Sequence, residues 1–126
     1  MAAMLAFFDR RWRSFGHAAQ GLARLVRGEI HARIHLIATM IVFLTGWQMR
    51  LTAEDWRWLI TACALVWLAE ALNTAVERLA DRVCATHDPA IGAAKDLAAG
   101  AVLIAALAAL AIGGSIFLPL LAGALR

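Results

Sequence analysis

From Leu97 to Leu125 the chain runs for 29 consecutive residues without an ionisable side chain. A run of that length is enough to cross the hydrocarbon core of a bilayer with some tilt. In a chain of 126 residues it leaves little room for anything but a membrane domain. The composition agrees, with 63% hydrophobic and 17% charged residues. So small a water-soluble fold has a large surface for its volume and needs more charge to cover it. Gly113, Gly114 and Pro119 fall in the far half of the run, where a membrane helix tolerates them if its neighbours satisfy the freed backbone groups.

Two further spans are expected. Leu36–Met49 is apolar and short, but a helix entering through His31 and His35 reaches across. Trp56–Ala69 runs into Glu70, and its helix should continue to about Val83, because no Gly or Pro interrupts it and Ala, Leu and Glu favour helix. Thr52, followed three residues later by Asp55, predicts a capping box at its start. Ahead of these spans, Met4, Leu5, Phe7, Phe8, Trp12, Phe15, Leu22, Leu25 and Val26 are interleaved with Arg10, Arg11, Arg13, Arg24 and Arg27. That is the composition of an amphipathic helix lying at the headgroup level, and it lacks the uninterrupted apolar run and cleavage site of a secretory signal.

The chain therefore reads as one all-α membrane domain over residues 1–126: an interfacial helix over 1–28 and membrane helices over about 30–50, 54–83 and 93–122. Counting Lys and Arg, residues 1–33 and 78–95 together hold nine, against Arg50, Arg57 and Arg126 on the other side. This bias places the N-terminus in the cytoplasm, with Trp47, Trp56 and Trp58 as an outer interfacial belt. The net charge of +3 comes with no basic run and no nucleic-acid-binding motif, so no nucleic-acid partner is expected. Cys63 and Cys84 stand apart without a CxxC and read as packing thiols.

The chemistry concentrates in the segment from Glu70 to Arg82. At 100° per residue, Asn73, Glu77 and Asp81 lie within about 60° of Glu70, giving one stripe with three carboxylates. An acid that abuts an apolar span costs free energy unless it faces a cavity, a metal or a partner. The competing reading is a solvated helix extension, and for Asp81 the two stand level. Like charges on one face are relieved by a divalent cation, and Mg²⁺ favours a few carboxylates with phosphate oxygens and water. Lys95, at the mouth of the last helix, can contact phosphate there or serve as an interfacial anchor. Glu29 adds an acid just before the first span. His31 and His35 have a zinc-like spacing without the glutamate of HExxH, which favours packing roles. No GxxxxGK[ST], GxGxxG or HRD-type segment is present.

Glu70-Ala-Leu-Asn73-Thr74-Ala-Val-Glu77-Arg78-Leu-Ala-Asp81, then Ala94-Lys95-Asp96-Leu-Ala-Ala-Gly-Ala-Val-Leu-Ile, resembles the signature of the prokaryotic integral-membrane diacylglycerol kinase family. Gln20-Gly21 and Glu29-Ile-His-Ala-Arg33-Ile-His35 are similar too, and the resemblance runs from about Phe15 to Leu121. Within the family, Arg33-Ile34-His35 and Ala98–Ala101 are more similar to the undecaprenol kinase branch. The resemblance implies a homotrimer in the bacterial inner membrane that phosphorylates a lipid hydroxyl at the cytoplasmic interface with ATP and Mg²⁺. It implies magnesium on Glu29 and Glu77, Glu70 as general base, and Lys95 and Asp96 on the nucleotide. Asn73, Asp81, Gln20 and Arg33 would complete the polar site, and Phe15 could stack on adenine. His35 stands where the diacylglycerol branch has a second acid, which favours undecaprenol over diacylglycerol as acceptor. A base partly withdrawn from water, as Glu70 is expected to be, would accept an alcohol proton more readily. Two other classes compete: a non-enzymatic membrane subunit whose acids pair with Arg78 and Arg82, and an ion-conducting oligomer.

Overall fold

A computed structural model describes residues 1–84, 86 and 88–124. Ala85 and His87 of the loop before Pro89, and Leu125 and Arg126 at the end of the last span, lie outside the described residues, as do the side chains of Leu5 and Arg10. The described chain forms helices α1 (Ala2–Gly28), α2 (Ile30–Gln48), α3 (Ala53–Val83) and α4 (Pro89–Ala124). Of these, α2, α3 and α4 are long and apolar enough to cross a membrane, which makes this a multi-pass membrane protein with an additional N-terminal helix.

Helix α1 carries the expected mix of exposed aromatic and basic groups. Phe7 meets Phe8 edge-on, Trp12 lies against Phe15, and the Arg11 guanidinium sits 5.1 Å from the centre of the Phe7 ring. Arg13 pairs with Asp9 one turn earlier, and this hydrogen bond raises the Arg13 guanidinium above its ordinary pKa. The helix ends at Glu29, whose extended backbone (φ −113°, ψ 129°) closes α1 and opens α2. A single residue therefore makes the elbow between the N-terminal helix and the first membrane-length helix.

The turn between α2 and α3 is built from backbone bonds and a side-chain cap. Leu51 N–H donates to the Gly46 carbonyl (3.2 Å) and Arg50 N–H to that of Trp47 (3.2 Å). This is a Schellman closure, with Arg50 in the left-handed region at φ 53°. Leu51 folds over buried Gly46, where an added Cβ would come within 2.9 Å of its Cδ1 and 3.2 Å of the Trp56 ring. Trp56 is turned inward on Phe43 (5.3 Å between ring centres), so of the three tryptophans placed in the outer belt only Trp47 and Trp58 are exposed. Thr52 then starts α3 with the expected capping box: its Oγ1 accepts from Asp55 N–H, and Asp55 Oδ2 accepts from Thr52 N–H.

Helix α4 opens at Pro89, ahead of the Ala93 start expected from sequence. The reason is local: Asp88 Oδ1 accepts from Ala90 N–H (2.8 Å), which caps the helix, and proline suits the first helical position. Helices α3 and α4 pack along their length, and α2 and α1 rest on α3. Helices α2 and α4 do not pack on each other among the described residues. The buried apolar set is small, comprising Leu25, Ala32, Leu59, Ala62 and Val66, while large apolar side chains cover the outside of all three long helices. A water-soluble fold would not leave them there; in a bilayer the outside is the apolar solvent.

Two expectations concern the α2–α3 turn. Arg50→Gly should relieve the left-handed strain and stabilise the fold by about 1 kcal/mol. Thr52→Ala should remove the cap and destabilise it by about 1 kcal/mol. Thermal unfolding in detergent, followed by helical circular dichroism, reads both signs.

Candidate functional site

The site is assembled by the antiparallel run of α2 along α3. Beyond the α2–α3 turn, the Trp67 indole N–H donates to Thr39 Oγ1 (3.1 Å), and Thr39 in turn donates to the His35 carbonyl (2.7 Å). One turn further, His35 Nε2 faces Glu70 Oε2 at 4.0 Å. At the end of the pair away from the α2–α3 turn, Arg78 Nη2 donates to Glu29 Oε1 at 2.9 Å. The Arg78 guanidinium passes so close to Gly28 that a Cβ there would lie 3.0 Å from Nη2. The elbow at Glu29 is thus tied directly to the polar segment of α3.

The stripe read as one acidic face is graded along α3. Glu70 is buried, with 3% of its surface exposed, and so is Thr74. Asn73 and Glu77 are half-buried, and Asn73 Nδ2 donates to Glu77 Oε1 (3.1 Å). Asn73 Oδ1 is buried with no hydrogen-bond partner, a costly state for an amide oxygen. Asp81 is exposed and turns to α4, where Lys95 Nζ donates to its Oδ1 at 2.9 Å. Lys95 also feels the Glu77 carboxylate. Glu70 at the top of the stripe therefore faces α2, Asp81 at its foot faces α4, and Asn73 and Glu77 bond each other between them.

Other candidate residues stand apart from this line. Asp96 is exposed beside Lys95. Arg33 is exposed and folds back to the Glu29 carbonyl at 3.5 Å. Gln20 is exposed on α1, and Phe15 is exposed there beside Trp12. The two histidines diverge, with His31 exposed and His35 turned inward. Among the described residues no three His, Cys, Asp or Glu side chains converge as a metal-binding group. Sequence reasoning left His35 as an interfacial or packing residue, marked only by the resemblance as a departure from the diacylglycerol branch, and did not single out Trp67 or Thr39. Pairing the polar residues of α2 with those of an antiparallel α3 would have found His35; nothing local marks the other two.

The chemistry available is that of hard oxygen donors strung along α3, from the buried Glu70 carboxylate to the Asp81–Lys95 pair, with Arg78 on Glu29. Glu29 bonds Arg78 through Oε1 and keeps Oε2 for a second partner. Glu77, the unpartnered Asn73 oxygen and Glu29 are the donor types that magnesium takes. Lys95 supplies positive charge near the mouth of α4.

Known proteins give the chain a family. The profile of the family described as prokaryotic diacylglycerol kinase matches residues 16–117. The chain is 35% identical over 111 residues to an undecaprenol kinase of Bacillus subtilis, covering 88% of this chain and 90% of that protein. It is 36% identical over 107 residues to a diacylglycerol kinase of Synechocystis, covering 84% and 61%. It is 29% identical over 102 residues to a diacylglycerol kinase of Escherichia coli K12, covering 81% and 84%. The chain with its graded acidic helix therefore belongs to the prokaryotic diacylglycerol kinase family of lipid kinases.

Proposed function

We propose that this chain transfers the γ-phosphoryl group of ATP to the hydroxyl of a membrane lipid alcohol, with undecaprenol favoured over diacylglycerol. It does so at the cytoplasmic face of a bacterial inner membrane, with Mg²⁺ and as a homotrimer. The observation that carries the reading is Glu70: a buried carboxylate within a membrane-length helix, one turn from an unpartnered amide oxygen. The similarity to an undecaprenol kinase over nearly the full length of both chains supports the choice of acceptor.

Phosphoryl transfer asks the protein for positioning, charge neutralisation and a destination for the hydroxyl proton. Glu29 and Glu77 would hold magnesium, with the Asn73 oxygen beside them. Magnesium is held by one or two carboxylates together with phosphate oxygens and water, so no cage of three acids is needed. A magnesium ion held there would supply positive charge against the phosphates. Lys95 exchanges Asp81 for phosphate and Asp96 lines the nucleotide beside it, while Phe15 offers a ring to the adenine. Asp81, Gln20 and Arg33 border the polar site. Glu70 takes the proton of the acceptor hydroxyl. It lies eleven residues above Asp81, about 16 Å along the helix, at a depth a lipid alcohol reaches and bulk water does not.

Glu70→Gln should lower lipid phosphorylation at least about 100-fold, the usual range for losing a general base. Helical circular dichroism and detergent gel filtration would show the fold unchanged. Glu77→Gln should raise the Mg²⁺ concentration needed for half-maximal rate about tenfold or more. Radiolabelled phosphate transfer from ATP to undecaprenol and to diacylglycerol, measured side by side, tests the acceptor. A higher kcat/KM for diacylglycerol overturns that preference, and transfer to neither overturns the kinase reading.

A further inference from the structure

His35 and Glu70 face each other across the α2–α3 contact at 4.0 Å, with their side chains 21% and 4% exposed. That separation is too long for a direct hydrogen bond. It is suited to one oxygen atom bonded to both groups: two hydrogen bonds of ~2.8 Å meeting at roughly a right angle span it. His35 also lines a groove of about 560 Å³ that lies between α2 and α4 with α3 as its floor. On α4 the groove follows Ala106, Gly113, Gly114 and Phe117, a path of about 18 Å from Ala106 to Leu118 at the helical rise. Every α4 side chain in its wall is Ala, Gly, Leu or Phe, and the ionisable groups in the whole lining are His35 and Cys63. At the α2 wall, Thr39 holds the His35 carbonyl and is itself held by Trp67, which fixes the turn that presents the imidazole.

We propose that His35 is a catalytic residue that binds the acceptor hydroxyl: its Nε2–H donates to the alcohol oxygen while the alcohol O–H donates to Glu70. This rests on the kinase reading above and extends it. The hydrocarbon tail of the alcohol continues into the groove, which begins at His35. In the step itself the alcohol O–H bond breaks and its proton passes to Glu70. The oxygen electron pair forms the bond to the γ-phosphorus, and the bond from that phosphorus to the bridging oxygen breaks, leaving the pair on ADP. The His35 N–H bond is kept throughout, aiming the oxygen and offsetting the charge that grows on it.

The test is steady-state kinetics of the full-length protein in phospholipid vesicles, varying undecaprenol and ATP-Mg²⁺ separately. For His35→Ala, kcat/KM for the lipid should fall about 100-fold while KM for ATP stays within about twofold. His35→Gln, whose side-chain amide keeps an N–H donor near the Nε2 position, should recover about tenfold of that loss. His35→Asn is of similar bulk with a shorter reach; it should be as impaired as alanine and replaces it if alanine does not fold. The proposal is overturned if His35→Ala keeps lipid kcat/KM within about threefold of wild type. It is overturned equally if Gln and Asn are impaired alike, or if KM for ATP rises in parallel with the lipid effect. Wild-type protein that phosphorylates no lipid alcohol overturns the kinase reading and this proposal together.

Discussion

A carboxylate within a membrane-length helix is the constraint around which the rest of this protein is arranged. Glu70 is buried in an apolar segment of α3, where an ionisable group needs a partner or a polar cavity. The groups that answer it come from α2, which must lie antiparallel to α3 and in a particular register for His35 to arrive opposite. Lining up Thr39 with Trp67, His35 with Glu70 and Glu29 with Arg78 shows that register, while the bulky Phe43 and Trp56 meet off it, beside the turn. The contacts change from aromatic packing near the α2–α3 turn, through a hydroxyl–indole bond, to an ion pair at the other end. Polarity therefore rises toward the end where the elbow and the N-terminal helix lie.

The buried set is otherwise sparse, and this follows from the solvent. In water, α4 would need a buried face; here large residues such as Leu103, Ile104, Leu107 and Leu110 point outward. Lipid is as apolar as the side chains, so helix association in it depends on close packing and polar contacts rather than on hiding apolar area. The Trp67–Thr39 bond and the Asp81–Lys95 and Glu29–Arg78 ion pairs supply such contacts. The pairing of Arg78 with Glu29 also shows that one acid expected at a metal doubles as a structural tie.

Much of this was legible in the sequence, for physical reasons. The run from Leu97, the apolar stretches around Ile41 and Leu65, and the Thr52–Asp55 cap depend on near neighbours, so they can be read from spacing alone. The angular grouping of Glu70, Asn73, Glu77 and Asp81 follows from helix geometry. What those groups face does not. Glu29 and Arg78 are 49 residues apart, and nothing in either neighbourhood announces the other. The division of the stripe between α2 and α4 depends on the rotation of α3 within the bundle, which no single-helix periodicity fixes. The start of α4 was a different kind of miss: Asp88-Pro89 is a capping signal in plain view, overshadowed by the polar loop ahead of it. The left-handed Arg50 could not be foreseen, since the residue usual at such a position is glycine.

The tight turn between α2 and α3 has a reach beyond its own four or five residues. Because α2 and α3 are continuous rods, the turn works as the zero mark of a vernier: it sets which rung of one helix meets which rung of the other all the way down. Slipping α3 by a single residue would advance it about 1.5 Å and rotate it about 100° along its whole length, which would undo the close packing at Gly46 and take Glu70 away from His35 together. The geometry of the polar end is thus calibrated at the opposite end of the helix pair, by a backbone closure with no chemistry of its own.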